Sequence, residues 1–105
     1  MVKLTVLYGH PDDPDAFEYY YTDTHTPMVR KIPNLLRYEA TKAVATPDGS
    51  EDWSAPPYYR VFEEYFQDME RLQGGMSSSE RQAAFADIPN FATGGATVLI
   101  SEIDA

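Results

Sequence analysis

The chain has 105 residues, of which 43% are apolar and 24% are charged, and it contains no cysteine. That length supports one two-layer domain, and the composition is that of an ordinary globular protein. The lack of cysteine excludes disulfides, thiolate nucleophiles and Cys-based metal sites. It also suits a reducing cytoplasm, where we expect the protein to reside.

The net charge and the lack of a long apolar run argue against nucleic acid and membranes as partners. Seventeen acidic and eight basic residues give a formal net charge of −9. A field of that sign repels phosphate backbones, so we do not expect nucleic acid as a partner. The N-terminal segment MVKLTVLYG lacks the basic region and long apolar run of a signal peptide. No stretch approaches the roughly 20 apolar residues that a membrane helix requires, so no membrane partner is expected either.

The first strand and helix have clear local signals. Val2 to Tyr8 alternates with a period of two, which predicts a strand. A helix should follow, with Asp13 as its N-cap and Pro14 at its first position. The spacing of a buried helical stripe is then shared by Phe17, Tyr20, Tyr21, Thr24 and Met28.

His25 lies at the edge of this stripe, about 80° from its centre at Phe17. Pro27 cannot donate to the helix ladder and disfavours a helical Thr26. We therefore predict that the helix breaks at His25–Thr26 and that Thr26 caps a short second helix beginning at Pro27. An imidazole at such a break, beside aromatic hydroxyls, is suited to acid–base chemistry, because histidine titrates near neutral pH.

The remaining elements complete the order strand, helix, strand, strand, helix, strand. Strands are predicted over 35–46 and 58–66, separated by a turn at 47–50 and a Pro-rich loop. A second helical region should begin at Asp68 and be interrupted at Gly74-Gly75. It should restart where Ser77 and Glu80 form a capping box. The last strand is predicted over 97–103.

This order predicts a single α+β domain over residues 1–105, with a ferredoxin-like four-stranded antiparallel sheet and both helices on one face. The aromatic third strand has no polar side, which leaves an apolar second sheet face that marks an interface. We therefore expect a homodimer in which two sheets close into a dimeric α/β barrel around an apolar cavity. The two sides of that strand carry Tyr59, Val61 and Tyr65 on one, and Tyr58, Phe62 and Phe66 on the other.

The segment YYYTDTHTPMVRKIPNLLRYE has a Tyr-Tyr pair, then His-x-Pro, then Ile-Pro and an aromatic residue in the next strand. In this pattern, and in the later segment FADIPNFATGG, the chain resembles the EthD family over essentially its whole length. The resemblance implies the dimeric α/β-barrel fold. The family takes its name from a gene cluster for degrading a branched alkyl ether, and barrel relatives catalyse diverse reactions, so the fold does not select one. The matching positions are Tyr19 to Tyr21, His25, Pro27, Ile32, Pro33, Tyr38, Asp87, Phe91 and Gly94-Gly95.

His25 and Tyr21 are the candidate catalytic residues, as general base and as stabiliser of negative charge. The alternative is structural: His25 would bond a neighbouring carbonyl at the helix break, and the tyrosines would be core aromatics. A second titratable group beside His25 would favour catalysis, and Glu63, Glu39 and Tyr59 are candidates for it. Candidate ligand-binding residues are Tyr20, Tyr38, Trp53, Tyr59 and Phe91.

We expect no metal, because the sequence has no short-spaced ligand pair, and no cofactor, because it has no Gly-rich phosphate loop. Without a Gly-x-Ser-x-Gly elbow, covalent catalysis is not expected either. Two function classes follow. The first is a cofactor-free cyclase, dehydratase or isomerase acting on an apolar carbonyl or aromatic metabolite. The second is a non-catalytic carrier or accessory protein that binds such a compound for a partner oxygenase.

Overall fold

A computed structural model describes residues 1–104. Its strands form one antiparallel sheet in the order β2-β3-β1-β4, with the helices on one face, which confirms the predicted ferredoxin-like α+β fold. The elements are β1 (Val2–Tyr8), α1 (Pro14–Tyr20), a π-helical segment (Tyr21–His25), α2 (Thr26–Val29), β2 (Arg37–Lys42), β3 (Arg60–Phe66), α3 (Met69–Met76), α4 (Ser79–Asp87), a 3₁₀ turn (Ile88–Asn90) and β4 (Ala96–Glu102).

The core lies between the sheet and the helices. In the central strand β1, the residues that face the helices are almost fully buried, as the period-two pattern predicts. Phe62 and Phe66 of β3 lie opposite Val6 and Val2, and so extend the same layer. The helices cover this layer with Phe17, Tyr21, Val29, Leu72 and Ala84.

The other sheet face is more polar than predicted. Lys3 donates to Glu63 at 2.6 Å, and the Tyr65 hydroxyl donates to Glu39 at 2.6 Å. The prediction relied on Tyr59, Val61 and Tyr65, whereas Glu63 and its pairing partner Glu39 share the face of Tyr65, and Tyr59 packs in the core against Phe17. Within the four strands, the apolar side chains on this open face are Leu7, Val61 and Leu99, together with the Tyr65 ring.

The predicted helix break at His25–Thr26 was wrong, because the chain stays helical through Pro27. Thr26 has helical dihedrals, and its backbone N–H donates to Tyr21 five residues earlier, which defines the π-helical turn. Pro27 lacks only an N–H, and the wider turn accommodates its ring without ending the helix. Asp13 caps the helix as predicted, accepting from the Ala16 N–H at 3.1 Å.

The boundaries of α3 and α4 also differ from the prediction. Helix α3 continues through Gly74 and Gly75. A Cβ at Gly75 would lie only 2.9 Å from the Pro33 carbonyl oxygen. These glycines permit close packing of the helix and do not interrupt it. The N-cap of α4 is Ser78, whose Oγ accepts from the Arg81 N–H at 3.1 Å, and not Ser77.

Strands β2 and β3 are shorter than predicted. β3 begins at Arg60, after the prolines at 56–57 that cannot donate to a ladder. β2 therefore has no strand partner beyond Lys42, and the chain leaves the sheet after the Ala43 N–H donates to the Tyr59 carbonyl. Within residues 1–104, no helix has the length and hydrophobicity needed to cross a lipid bilayer.

Candidate functional site

The buried carboxylate of Asp87, the last residue of α4, is the centre of a hydrogen-bonded cluster. It accepts from His25 Nδ1 at 3.0 Å, from the Tyr20 hydroxyl at 2.5 Å and from Asn90 Nδ2 at 2.9 Å. The π-helical segment places His25 here. Because a π turn contains more residues than an α turn, each residue advances less around the axis, and His25 moves back toward the centre of the stripe. The ring is 3% exposed instead of lying at the predicted boundary.

The cluster determines the protonation states of its members. Burial alone would raise the pKa of Asp87, but hydrogen bonds from Tyr20, Asn90 and His25 outweigh it and hold that pKa below its usual value. Burial lowers the pKa of His25, although the bond to Asp87 acts in the opposite direction. At neutral pH the pair is therefore an aspartate and a neutral imidazole that donates from Nδ1. The second nitrogen, Nε2, is left as an unprotonated acceptor.

Aromatic rings enclose the imidazole. The centroid of Phe91 lies 4.6 Å from that of His25, and Tyr21 stacks on it at 6.1 Å with an angle of 26°. The Tyr21 hydroxyl is buried and has no hydrogen-bond partner among the described residues. Its pKa is raised by burial, so this group is a neutral donor that lacks an acceptor. An unprotonated base and an unused donor thus occur on adjacent rings.

The structure brings together only part of the predicted site. Tyr20 and Phe91 line a cavity of about 240 Å³ together with Asp12, Asp13 and Asn90, and neither His25 nor Tyr21 is among the residues that line it. This group lies on the helix side of the sheet and not on the open face, so a barrel closed by two open faces would not enclose it.

The other predicted ligand-binding residues lie apart from His25. Tyr38 stacks on Phe62 at 5.4 Å, and its hydroxyl accepts from Arg30. Tyr59 packs edge-on against Phe17 at 5.1 Å. Trp53 lies in the loop between β2 and β3 and is 58% exposed. None of these three rings pairs with the imidazole among the described residues.

The predicted second titratable group was also wrong. Glu39 and Glu63 lie on the open face, and Tyr59 packs against Phe17 of α1, whereas the partner of His25 is Asp87. Sequence reasoning named Asp87 only as part of a resemblance. A usable signal existed, because a carboxylate in the last turn of a helix is disfavoured by the helix dipole and needs a specific partner.

A second buried acid, Glu64, was missed. It is 1% exposed, faces the helices between Phe62 and Phe66, and its Oε1 has no hydrogen-bond partner among the described residues. Burial raises the pKa of Glu64, which favours its neutral acid form. Its signal in the sequence was an acidic residue at an inward position of an apolar strand.

A family model described as the EthD domain matches residues 10–95. The chain belongs to the EthD family. It is 36% identical over 102 residues, 97% of its length and 94% of the relative's, to the uncharacterized 11.0 kDa protein in the thcB-thcC intergenic region of Rhodococcus erythropolis. It is similar to the crystal structure of an EthD family protein from Bacillus halodurans C-125, with 38% identity, a TM-score of 0.86 and coverage of 99% of each chain.

The EthD fold extends to more distant structures. A dimeric ferredoxin-like protein of unknown function from Thermobifida fusca YX aligns with a TM-score of 0.68 at 15% identity. The alignment covers 97% of this chain and 90% of that one. At this identity the likeness concerns the fold alone.

Proposed function

We propose that this EthD protein binds a small apolar carbonyl or aromatic metabolite and transfers a proton on it, with His25 as the acid–base group. The observation that carries the proposal is the 3.0 Å bond from His25 Nδ1 to Asp87 Oδ2. A carboxylate on one ring nitrogen sets the tautomer and makes the other nitrogen the base. Cyclisation, dehydration and isomerisation of carbonyl compounds all require such a base.

The protonation states support this role. A buried imidazole with a lowered pKa is neutral at pH 7 and accepts a proton without first losing one. Asp87 then stabilises the imidazolium that forms, because it stays ionised beside the ring. The pair therefore compensates for part of the cost of creating charge in an apolar layer.

Tyr21 supplies the second function that the reaction needs. Removal of a proton next to a carbonyl places negative charge on the carbonyl oxygen. The buried Tyr21 hydroxyl donates to no residue among those described, and it lies on the ring stacked against His25. A substrate oxygen is the acceptor that this hydroxyl lacks.

A second candidate function is a carrier without chemistry. The observation that favours it is the 3% exposure of His25, which keeps Nε2 away from solvent in this conformation. In this case the Asp87 cluster fastens the π-helical segment to α4, and an apolar ligand is held for a partner oxygenase.

We also propose that the protein is a homodimer. Leu7, Val61 and Leu99 form an apolar strip across three adjacent strands of the open face, and Leu99 is 51% exposed. Two such faces bury each other's apolar residues when they pack as a pair. A distant structure of the same fold is itself described as dimeric, which supports this arrangement.

Proton transfer is tested with 2-tetralone, an apolar ketone with exchangeable hydrogens next to its carbonyl. Exchange of these hydrogens for solvent deuterium is followed by NMR with the wild type, with His25→Ala and with His10→Asn, a matched control at the exposed histidine. We expect His25→Ala to slow exchange by about 10²-fold or more and His10→Asn to leave it unchanged. Binding of the ketone without accelerated exchange would favour the carrier, and equal exchange by all three proteins would contradict catalysis by His25.

A further inference from the structure

An apolar groove runs between α4 and the edge strand β4, and neither His25 nor Asp87 is among the residues that line it. It consists of two adjoining cavities of about 320 and 390 Å³ that share Phe85 and Val98. Phe85 and Ile100 are 56% and 51% exposed, so large apolar side chains form its open walls. We call this feature the α4–β4 groove, and its main walls are Phe85, Ile88, Ala92, Val98, Ile100 and Met76.

One charged side chain lies in the wall of this groove. Arg81 is only 6% exposed, and its guanidinium is bracketed by two groove residues. Its Nε donates to Met76 Sδ at 3.3 Å, and its central carbon lies 5.3 Å from the Phe85 ring centroid. A thioether is a weak acceptor, so this contact leaves most of the donor capacity of the guanidinium unused.

Arg81 has no counter-ion among the described residues. None of the ion pairs formed within residues 1–104 includes it, although acidic residues outnumber basic ones by 17 to 8 in the chain. The nearby buried acid, Glu64, has a pKa raised by burial, which disfavours the anion that would balance the charge. A buried guanidinium is costly unless it is paired, so its position calls for an anion from outside the chain.

We propose that the α4–β4 groove binds a small apolar monocarboxylate, whose acid group pairs with Arg81 and whose apolar body packs on Phe85, Val98 and Ile100. The planar guanidinium matches a carboxylate through two parallel hydrogen bonds. Among the described residues, the groove has no acidic lining residue that would repel the ligand. The net charge of −9 disfavours a multiply charged ligand such as a nucleotide, so a single carboxylate on an apolar body is the best match.

The test compares two probes of the same shape, 2-naphthoate and the neutral 2-naphthalenemethanol. Both are titrated into the ¹⁵N-labelled full chain and followed by NMR. We expect naphthoate to bind about tenfold or more tightly than the alcohol, as a charge-assisted pair allows. The largest shifts should fall on the amides of Phe85, Val98 and Ile100.

Three variants separate this site from the rest of the molecule. Arg81→Met should reduce naphthoate affinity to that of the alcohol. Arg81→Lys should keep part of the preference for naphthoate over the alcohol, because the positive charge remains but the two parallel donors of the guanidinium are lost. His25→Asn should leave naphthoate affinity unchanged, which distinguishes this groove from the proposed proton-transfer site. If Arg81→Met does not fold, the two probes with the wild type still decide the matter. Equal affinity of the two probes, or shifts confined to residues outside the groove, would overturn the proposal.

Discussion

Thr26 donates twice to the carbonyl oxygen of Tyr21, once from its backbone N–H and once from its hydroxyl at 2.9 Å. These two bonds close the π-helical turn that has Tyr21 and His25 at its ends. π turns inside helices are uncommon and occur frequently at functional sites. Here the turn rotates His25 toward the core, where its ring bonds Asp87 of α4.

Replacing Thr26 with Val should weaken this turn while keeping the shape of the side chain. Loss of one partly buried hydroxyl bond should lower the free energy of unfolding by about 1 kcal/mol. Urea denaturation measures this change, and the NMR shifts of the His25 ring report its orientation. Thr24→Val is a matched control, because Thr24 is exposed in the same turn. Unchanged stability and an unchanged imidazole in Thr26→Val would show that the hydroxyl does not hold the turn.

Asp87→Asn should affect stability and the titration of His25 together. The carboxylate accepts three hydrogen bonds, and an amide satisfies fewer of these donors, so we expect a loss of about 1–3 kcal/mol. The pKa of His25 should fall further, because Asp87 is the group that raises it against the effect of burial. NMR titration of the ring measures the direction, with Asp23→Asn at an exposed position as the control. A raised His25 pKa in Asp87→Asn would contradict the assigned roles.

The Asp87–His25 pair should make the protein less stable in acid. Both folded pKa values are lowered, so below the ordinary values of 6.5 for histidine and 3.8 for aspartate the unfolded chain binds more protons. The stability from each group is present above its unfolded pKa and is lost as the pH falls through its folded pKa. Thermal unfolding from pH 8 to pH 3 should therefore show two declines, and His25→Asn should lack the upper one. A His25→Asn profile parallel to that of the wild type would contradict this expectation.

Glu64→Gln should stabilise the protein at neutral pH and change little in acid. The folded pKa of Glu64 is raised above 4.5, so its contribution is greatest below that value and is lost as the pH rises through the folded pKa. Gln keeps the shape of the side chain and never ionises, so the variant does not lose stability as the pH rises. Melting temperatures at pH 4 and pH 8 measure this change in stability, with Glu102→Gln at an exposed position of β4 as the control. A lower melting temperature for Glu64→Gln at pH 8 would mean that the carboxylate has a partner in solution.

Light scattering should give a mass of about twice the 11.9 kDa of one chain at micromolar concentration. Leu99→Glu should shift the protein toward the monomer, because it places like charges across the proposed interface at a half-exposed position. Tyr19→Glu, on a ring that is 75% exposed, should not. A stable wild-type monomer would exclude the dimer.

Several features depended only on neighbouring residues and could be read from the sequence. β1 has the predicted bounds, Val2–Tyr8, because a period-two pattern and its closing turn are local signals. The cap at Asp13 and the first helical position of Pro14 are likewise set within one turn of helix. The order of strands and helices followed from these signals, and with it the ferredoxin-like fold.

Other features were decided by contacts between distant parts of the chain. His25 and Asp87 are 62 positions apart, and no local pattern reports their pairing. Gly75 lies in a helix despite its weak helix propensity, and a Cβ there would lie only 2.9 Å from Pro33 and 3.1 Å from Phe66, which are distant in sequence. The position of Arg81 beside Val98 and Ile100 of β4 also depends on the tertiary structure, because its place in a helical sequence does not indicate which strand lies next to it. The sequence by itself determined which elements form, because local backbone preferences depend on near neighbours. Only the tertiary structure decided which side chains meet, because burial and pairing depend on residues that folding brings together.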